Sequence, residues 1–202
     1  MNQSVLYSRF KSFIENMLTA FQETKLKYLF HLLDKNKSGV LEPSDFSEIG
    51  DEVIENFNLS EKDLEKNNIL KNADKFFQKL ISNISVADQQ VITLDEWLIF
   101  FDTEIVNAED SILTDEVVDL ILNFLFGSFD QNRDGYTSVR DYIQMFSVLG
   151  ISRKDLTSAF IKFDVNGDCK LSRYELSSGV ESFLISDDQQ DPGNWIFGPY
   201  DH

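Results

Sequence analysis

Three twelve-residue stretches share one chemical pattern: "DKNKSGVLEPSD" (34–45), "DQNRDGYTSVRD" (130–141) and "DVNGDCKLSRYE" (164–175). Each carries acid, amide or hydroxyl side chains at its first, third and fifth places and a carboxylate at its twelfth. A hard divalent cation takes six to eight oxygens, so a short loop must fold back sharply to present them. The first stretch offers Asp34, Asn36, Ser38, the Val40 carbonyl and Asp45, with Glu42 at the ninth place reaching an ion directly or through water. The second offers Asp130, Asn132, Asp134, the Tyr136 carbonyl and Asp141, and the third Asp164, Asn166, Asp168, the Lys170 carbonyl and Glu175. Gly39 and Gly135 stand at the sixth place, where the turn needs a positive φ. Cys169 stands there in the third stretch, in a backbone state that costs a residue with a Cβ about 1 kcal/mol. Gly167, two places earlier, absorbs part of that distortion, so reduced affinity is expected rather than loss. The carboxylates around Cys169 disfavour the thiolate that a redox role would need.

The twelfth place separates the stretches. Glutamate is long enough to give both oxygens to a large ion, whereas aspartate is one methylene shorter and more easily gives one. Fewer ligands suit magnesium, which demands six at about 2.0–2.1 Å. Segments 34–45 and 130–141 end in Asp45 and Asp141, and are expected to be mixed sites that hold Mg²⁺ at rest and exchange it for Ca²⁺. Segment 164–175 ends in Glu175 and should favour Ca²⁺.

The same apolar stripe precedes each stretch. Leu26, Leu29, Phe30 and Leu33 lie eight, five, four and one residues before Asp34. Leu122, Leu125, Phe126 and Phe129 repeat those offsets before Asp130, as do Leu156, Ala159, Phe160 and Phe163 before Asp164. Such offsets mark one face of an α-helix. A fourth unit appears when the stripe is followed instead of the acids: Phe77, Leu80, Ile81 and Ile84 precede Ser85. Its loop, "SVADQQVITLDE" (85–96), keeps Glu96 but has Ser85, Ala87 and Gln89 at the ligand places and Gln90 for glycine, so it is expected to bind no ion.

Exit-helix stripes follow each loop: Phe46 and Ile49; Trp97, Phe100 and Phe101; Tyr142, Met145 and Phe146; Leu176 and Val180. The eighth places, Leu41, Ile92, Thr137 and Leu171, should form short β-bridges between partner loops. The pattern predicts an all-α fold: four helix–loop–helix units, paired two by two and packed into one globule. Residues 1–105 hold the pair with the degenerate loop 85–96, and 106–202 hold the pair with both loops intact, plus a tail over 186–202. Ser60–Asp63 and Ser152–Asp155 read as helix starts, Gly150 as a helix stop, and Thr114 as the cap of the third entering helix. The acidic run from Asp102 to Asp115 reads as the link between halves.

Composition narrows the function. The chain has 202 residues, 35 acidic and 18 basic, for a formal net charge of −17. That field repels nucleic acid and anionic lipid and draws in cations. Three divalent ions, six positive charges in all, would bring it to about −11. The single Cys169 excludes an internal disulfide and fits a reducing, cytoplasmic setting. The opening MNQSVLYSRF has no apolar core of a signal peptide and no second-place glycine for myristoylation. No apolar run approaches the ~18 residues of a membrane span.

The three loops with their flanking helices resemble EF-hands. Active loops one, three and four, a decayed second loop and twelfth-place aspartates are similar to invertebrate sarcoplasmic calcium-binding proteins and calexcitins. The tail "DPGNWIFGPYDH" is similar to the Gly-Asn-x-hydrophobic-Phe-Gly tail of those proteins. The resemblance covers the chain from about residue 20 onward; Cys169 and Thr137 depart from the usual pattern. It implies two EF-hand pairs packed face to face, a tail folded into the apolar interior, and a monomeric cytosolic calcium buffer without enzymatic activity. A calexcitin-like sensor acting on a protein target is the alternative, and a luciferin-binding or photoprotein role the least favoured. Sensor grooves are often methionine-rich, and only three methionines occur here. The photoprotein cavity resembles one lined by several histidines, and this chain has only His31 and His202.

Overall fold

The computed structural model describes residues 18–59, 64–84, 90–108, 111–126 and 135–200. Ser60, Asp63 and Phe129 fall outside them. Loop one (34–45) runs from helix α1 (Ala20–Leu33) to α2 (Pro43–Asn56), and loop two (85–96) from α3 (Leu64–Ile84) to α4 (Leu94–Phe100). Loop three (130–141) follows α5 (Ile112–Ile121) and leads into α6 (Val139–Ser147). Loop four (164–175) joins α7 (Arg153–Phe163) to α8 (Arg173–Ile185).

Two short antiparallel ribbons tie the loops in pairs. Strand β1 (Val40–Leu41) pairs with β2 (Ile92–Thr93), and β3 (Tyr136–Ser138) with β4 (Lys170–Ser172). Leu41 faces Ile92 and Thr137 faces Leu171, so the eighth places meet as expected. All four are buried, and Thr137 takes the aliphatic position at 4% exposure.

The helical stripes converge on one core. Leu26, Leu29, Phe30 and Leu33 of α1 are buried, as are Phe77 and Leu80 of α3 and Leu156, Ala159 and Phe160 of α7. Phe46 of α2 packs at 5.3 Å from Phe77 and 5.6 Å from Phe76. Trp97 lies 4.6 Å from Phe101, and its indole N–H donates to the Leu26 carbonyl at 3.0 Å. That bond satisfies the one polar atom of a fully buried ring.

Two boundaries differ from the sequence expectation. Helix α5 starts at Ile112 with Ser111 as its N-cap residue, and Thr114 is buried inside the first turn. Asp115 N–H already donates to the Ser111 carbonyl at 2.8 Å, so the acidic residues that suggested a cap at Thr114 lie one turn in. The presumed link is also largely helical, because Phe101–Val106 extends α4 as a π-helix. A second π-helical segment, Leu122–Phe126, extends α5. The wider turn brings Phe124 inward with Leu125 and Phe126, and Phe124 stacks on Phe76 at 5.2 Å. Gly150 ends the α6 segment as expected, with φ +83° and its N–H on the Ser147 carbonyl.

The tail closes the core. Ile196 and Phe197 are fully buried, and Phe197 sits edge-on to Phe183 at 4.7 Å. Gly193 lets the tail reach α8: a Cβ there would stand 2.5 Å from that of Ser182. Tyr28 donates to the Phe197 carbonyl at 2.8 Å and Tyr142 to that of Ile196 at 3.1 Å. Lys25, fully buried on α1, donates to the Ser186 carbonyl and to Asn194 Oδ1, each at 2.8 Å. Its ammonium also faces the rings of Phe21 and Phe183.

Burial holds the Lys25 pKa down to about 8, with Asp191 and Asp187 pulling it back up. In the unfolded chain the same group titrates near its ordinary value of about 10.4. Between those values the unfolded state binds the extra proton, so this group makes folding more favourable as pH rises. Urea unfolding should therefore show wild type gaining on the order of 1–2 kcal/mol over Lys25→Met between pH 7.5 and 9.5. An unchanged difference would contradict the burial of a charged lysine.

Candidate metal centre

Loop one is knit by its own oxygens. Asp34 Oδ1 accepts from Ser38 N–H and Oδ2 from Gly39 N–H, both at 2.9 Å. Asn36 Oδ1 also accepts from Ser38 N–H, at 2.8 Å, and Ser38 Oγ lies 3.0 Å from the Val40 carbonyl. Asp45 Oδ1 accepts from Asn36 N–H at 3.2 Å. All five sequence-predicted residues of this loop thus share one hydrogen-bond cluster. Glu42, at the ninth place, accepts from the Asn36 amide at 2.9 Å and from Ser44 at 2.8 Å.

The electrostatics of this cluster are unbalanced. Asp34 is 5% exposed and Asp45 fully buried. Among the described residues no lysine or arginine stands within ion-pair distance of either. Desolvation raises the Asp45 pKa, with the charges of Asp34 and Glu42 adding to it and bonds from Glu42 and Asn36 N–H opposing. Buried carboxylates are normally paired with a cation or a metal, and a dication among these oxygens would relieve both burial and repulsion.

Loop four repeats the arrangement. Asp164 accepts from Gly167 N–H at 3.1 Å and Cys169 N–H at 2.9 Å, and Asn166 Oδ1 from Asp168 N–H at 2.8 Å. Asp168 Oδ1 accepts from Lys170 N–H at 3.1 Å, and the Asn166 amide donates to Glu175 at 2.7 Å. The cluster is more open than loop one: Asn166, Asp168 and Cys169 are exposed. Of loop three, Asp130, Asn132 and Asp134 lie outside the described residues, and so do Ser85, Ala87 and Gln89 of loop two. Tyr136 opens β3, Asp141 lies in the first turn of α6, and Gly135 has φ +82°.

Among the described residues no three His, Cys, Asp or Glu side chains converge on one point. Loop one has only two carboxylates in its ligand places and completes the set with amide, hydroxyl and carbonyl oxygens, the donors that suit calcium or magnesium. In loop four the three carboxylates are turned onto loop N–H groups.

One group of residues was missed in the sequence. The ninth-place residue caps each exit helix, and the twelfth-place carboxylate is its third residue. Ser172 N–H and Oγ donate to Glu175 Oε2 at 2.8 and 2.7 Å, and Glu175 N–H returns to Ser172 Oγ. Ser138 and Asp141 do the same, as do Thr93 and Glu96. The S/T-x-x-D/E spacing was visible, but it overlaps the ligand pattern that occupied the same positions.

The turns need two left-handed residues each in loops one and four. Loop one uses Lys37 (φ +60°) and Gly39 (φ +85°), and loop four uses Gly167 (φ +71°) and Cys169 (φ +62°). Each has one glycine for the two places, and the places are exchanged between loops.

Paired helix–loop–helix units joined by short ribbons are the architecture of the EF-hand fold. Among known proteins, the chain is 26% identical to calerythrin of Saccharopolyspora erythraea over 173 residues, 83% of this chain and 94% of that one. Its structure matches the sarcoplasmic calcium-binding protein of amphioxus with a TM-score of 0.65 at 18% identity, covering 90% and 98% of the two chains. It also matches the coelenterazine-binding protein of Renilla muelleri in its calcium-loaded apo form, with a TM-score of 0.70 at 16% identity, covering 90% and 99%. No protein-family model matches the chain. The chain thus has the fold of EF-hand calcium-binding proteins and is similar in sequence to calerythrin.

A Cβ in the left-handed region is strained. Cys169→Gly should raise the unfolding free energy by up to ~1 kcal/mol, and Gly167→Ala should lower it by about as much. Thermal melts of the two variants check this, and a shift of the same sign in both would contradict the backbone assignment.

Proposed function

We propose that the protein is a non-enzymatic, cytoplasmic calcium buffer with three ion sites, two of which exchange Ca²⁺ for Mg²⁺. The observation that carries this reading is the buried pair Asp34 and Asp45, knit into a loop of inward oxygens with no basic partner among the described residues. Asp34, Asn36, Ser38, the Val40 carbonyl and Asp45 would hold the first ion. Asp130, Asn132, Asp134, the Tyr136 carbonyl and Asp141 would hold the second. Asp164, Asn166, Asp168, the Lys170 carbonyl and Glu175 would hold the third. The bound ion supplies charge neutralisation alone; the chain supplies oxygens, turns and capped helices.

The closed core supports buffering over sensing. The apolar faces that a sensor would offer to a protein target are covered by this chain's own tail, with Ile196 and Phe197 fully buried. Met145 is buried as well, and no methionine among the described residues is exposed. A luciferin-binding role has little support, since His31 is exposed and its ring meets Phe30 edge-on. Among the described residues no helix is long and apolar enough to cross a membrane. Cys169 is exposed and free of any disulfide, which suits a reducing compartment. We read the protein as a monomer that binds no nucleic acid.

Calorimetric titration with calcium, without and with millimolar magnesium, tests the selectivity. Two of the sites should weaken when magnesium is present, and the Glu175 site should hold its affinity. Equal weakening at every site, or at none, would contradict the role given to the twelfth-place aspartates.

A further inference from the structure

The arginines among the described residues are placed very differently. Arg173 is paired with Asp119 at 3.0 Å. Arg140 of α6 and Arg153 of α7 are exposed, and among the described residues neither has a carboxylate within ion-pair distance. On a chain with 35 acidic residues against 18 basic ones, two unpaired arginines run against the overall balance. Both line one surface cleft of about 440 Å³, together with Asn56, Asn58, Gln144 and Ser147. None of the described residues that line it is acidic. Three segments build it. Helix α2 ends at Asn56, and Asn58, just beyond, turns the chain with a left-handed φ of +54°. Asn56 Nδ2 donates to the Gln144 carbonyl and Gln144 Nε2 to the Asn56 carbonyl, both at 2.8 Å, which fixes the end of α2 against α6. Arg140 lies one turn before Gln144 and two before Ser147, on one face of α6. Arg153 is the first residue of α7, beyond the Gly150 turn. Glu52 and Glu55 line the adjoining depression and not the cleft. Glu52 is already paired with Lys35 at 2.7 Å, which also donates to the Val148 carbonyl at 2.5 Å.

We propose that this cleft binds a small phosphomonoester, its dianion held between Arg140 and Arg153. A guanidinium presents a planar fork of N–H donors that matches the oxygens of a phosphate, and it keeps its charge at any physiological pH. Asn58 and Ser147 add amide and hydroxyl groups that suit the polar remainder of such a ligand. The charge of the whole chain selects for size. A membrane or a nucleic acid would lie across many carboxylates at once and be repelled by the net charge of −17. A small anion in the cleft meets the two arginines at contact distance, while charges more than about 8 Å away are screened. The site shares no residue with the proposed ion ligands and goes beyond the ion-site reading.

Heteronuclear NMR of the full chain in calcium-containing buffer, titrated with glycerol 3-phosphate, tests this; the calcium salt of that phosphomonoester is soluble. Saturable shifts are expected in the Nε–Hε signals of Arg140 and Arg153 and in the backbone amide of Asn58, with none on adding glycerol. Arg140→Gln and Arg153→Gln should each weaken binding about tenfold, the loss of one charge-assisted contact. The double variant should not saturate. Both side chains are exposed and unpaired among the described residues, so the variants should keep the wild-type circular dichroism spectrum. Arg173→Gln, which removes an arginine outside the cleft, should leave the affinity unchanged. Vesicles containing phosphatidic acid carry the same phosphomonoester on a membrane and should not bind. No saturable shift, an equal affinity in the double variant, or the same shifts with glycerol would overturn the site. Arg140-dependent binding of the vesicles without binding of glycerol 3-phosphate would overturn the choice of a small ligand. Calcium uptake enters none of these outcomes, so failure of the ion sites is distinguishable from failure of the cleft.

Discussion

In every loop the twelfth-place carboxylate accepts a hydrogen bond from the backbone N–H three residues before it. The distances are 2.9 Å from Glu42 to Asp45, 2.9 Å from Thr93 to Glu96, 3.2 Å from Ser138 to Asp141 and 2.8 Å from Ser172 to Glu175. The loop therefore ends and the helix begins on the same side chain, and the bond satisfies a donor that the helix cannot satisfy itself. This explains why loop two keeps Glu96 although Ala87 gives it no oxygen at a ligand place. Its carboxylate is spent on starting α4, and its strand on pairing with loop one.

The remaining architecture follows from holding four such units around a single apolar interior. Each ribbon fixes two loops, and the stripes of the flanking helices meet beneath them. An acidic chain gains little from adding more carboxylates to that interior, and among the described residues the one fully buried ionic group apart from the loop carboxylates is a lysine. Lys25 reaches both the end of α8, through the Ser186 carbonyl and the ring of Phe183, and the tail, through Asn194. The tail is thereby part of the core.

The periodic elements were legible in the sequence because one offset pattern recurs four times, and of the described residues it picks all but the half-buried Ile81 are buried. The eighth-place bridges were legible for the same reason. Helix α5 was misjudged because the acids of Thr114–Glu116 look like a cap wherever they fall, while the π-helical turns leave no trace in a 3.6-residue period. The hydrogen-bond partners of the loop side chains were not legible, because the capping pairs share positions with the expected ligand pattern. Lys25, Lys35 and Tyr28 act through partners more than a hundred residues away, which no local pattern records.

Native mass spectrometry, which counts calcium ions on the intact chain, tests the central claim most directly. The account predicts that the folded protein carries three calcium ions, and two after Asp45→Ala removes the loop-one carboxylate. A wild-type chain that carries none, or that fills a fourth site through the Ser85–Glu96 segment, would contradict it.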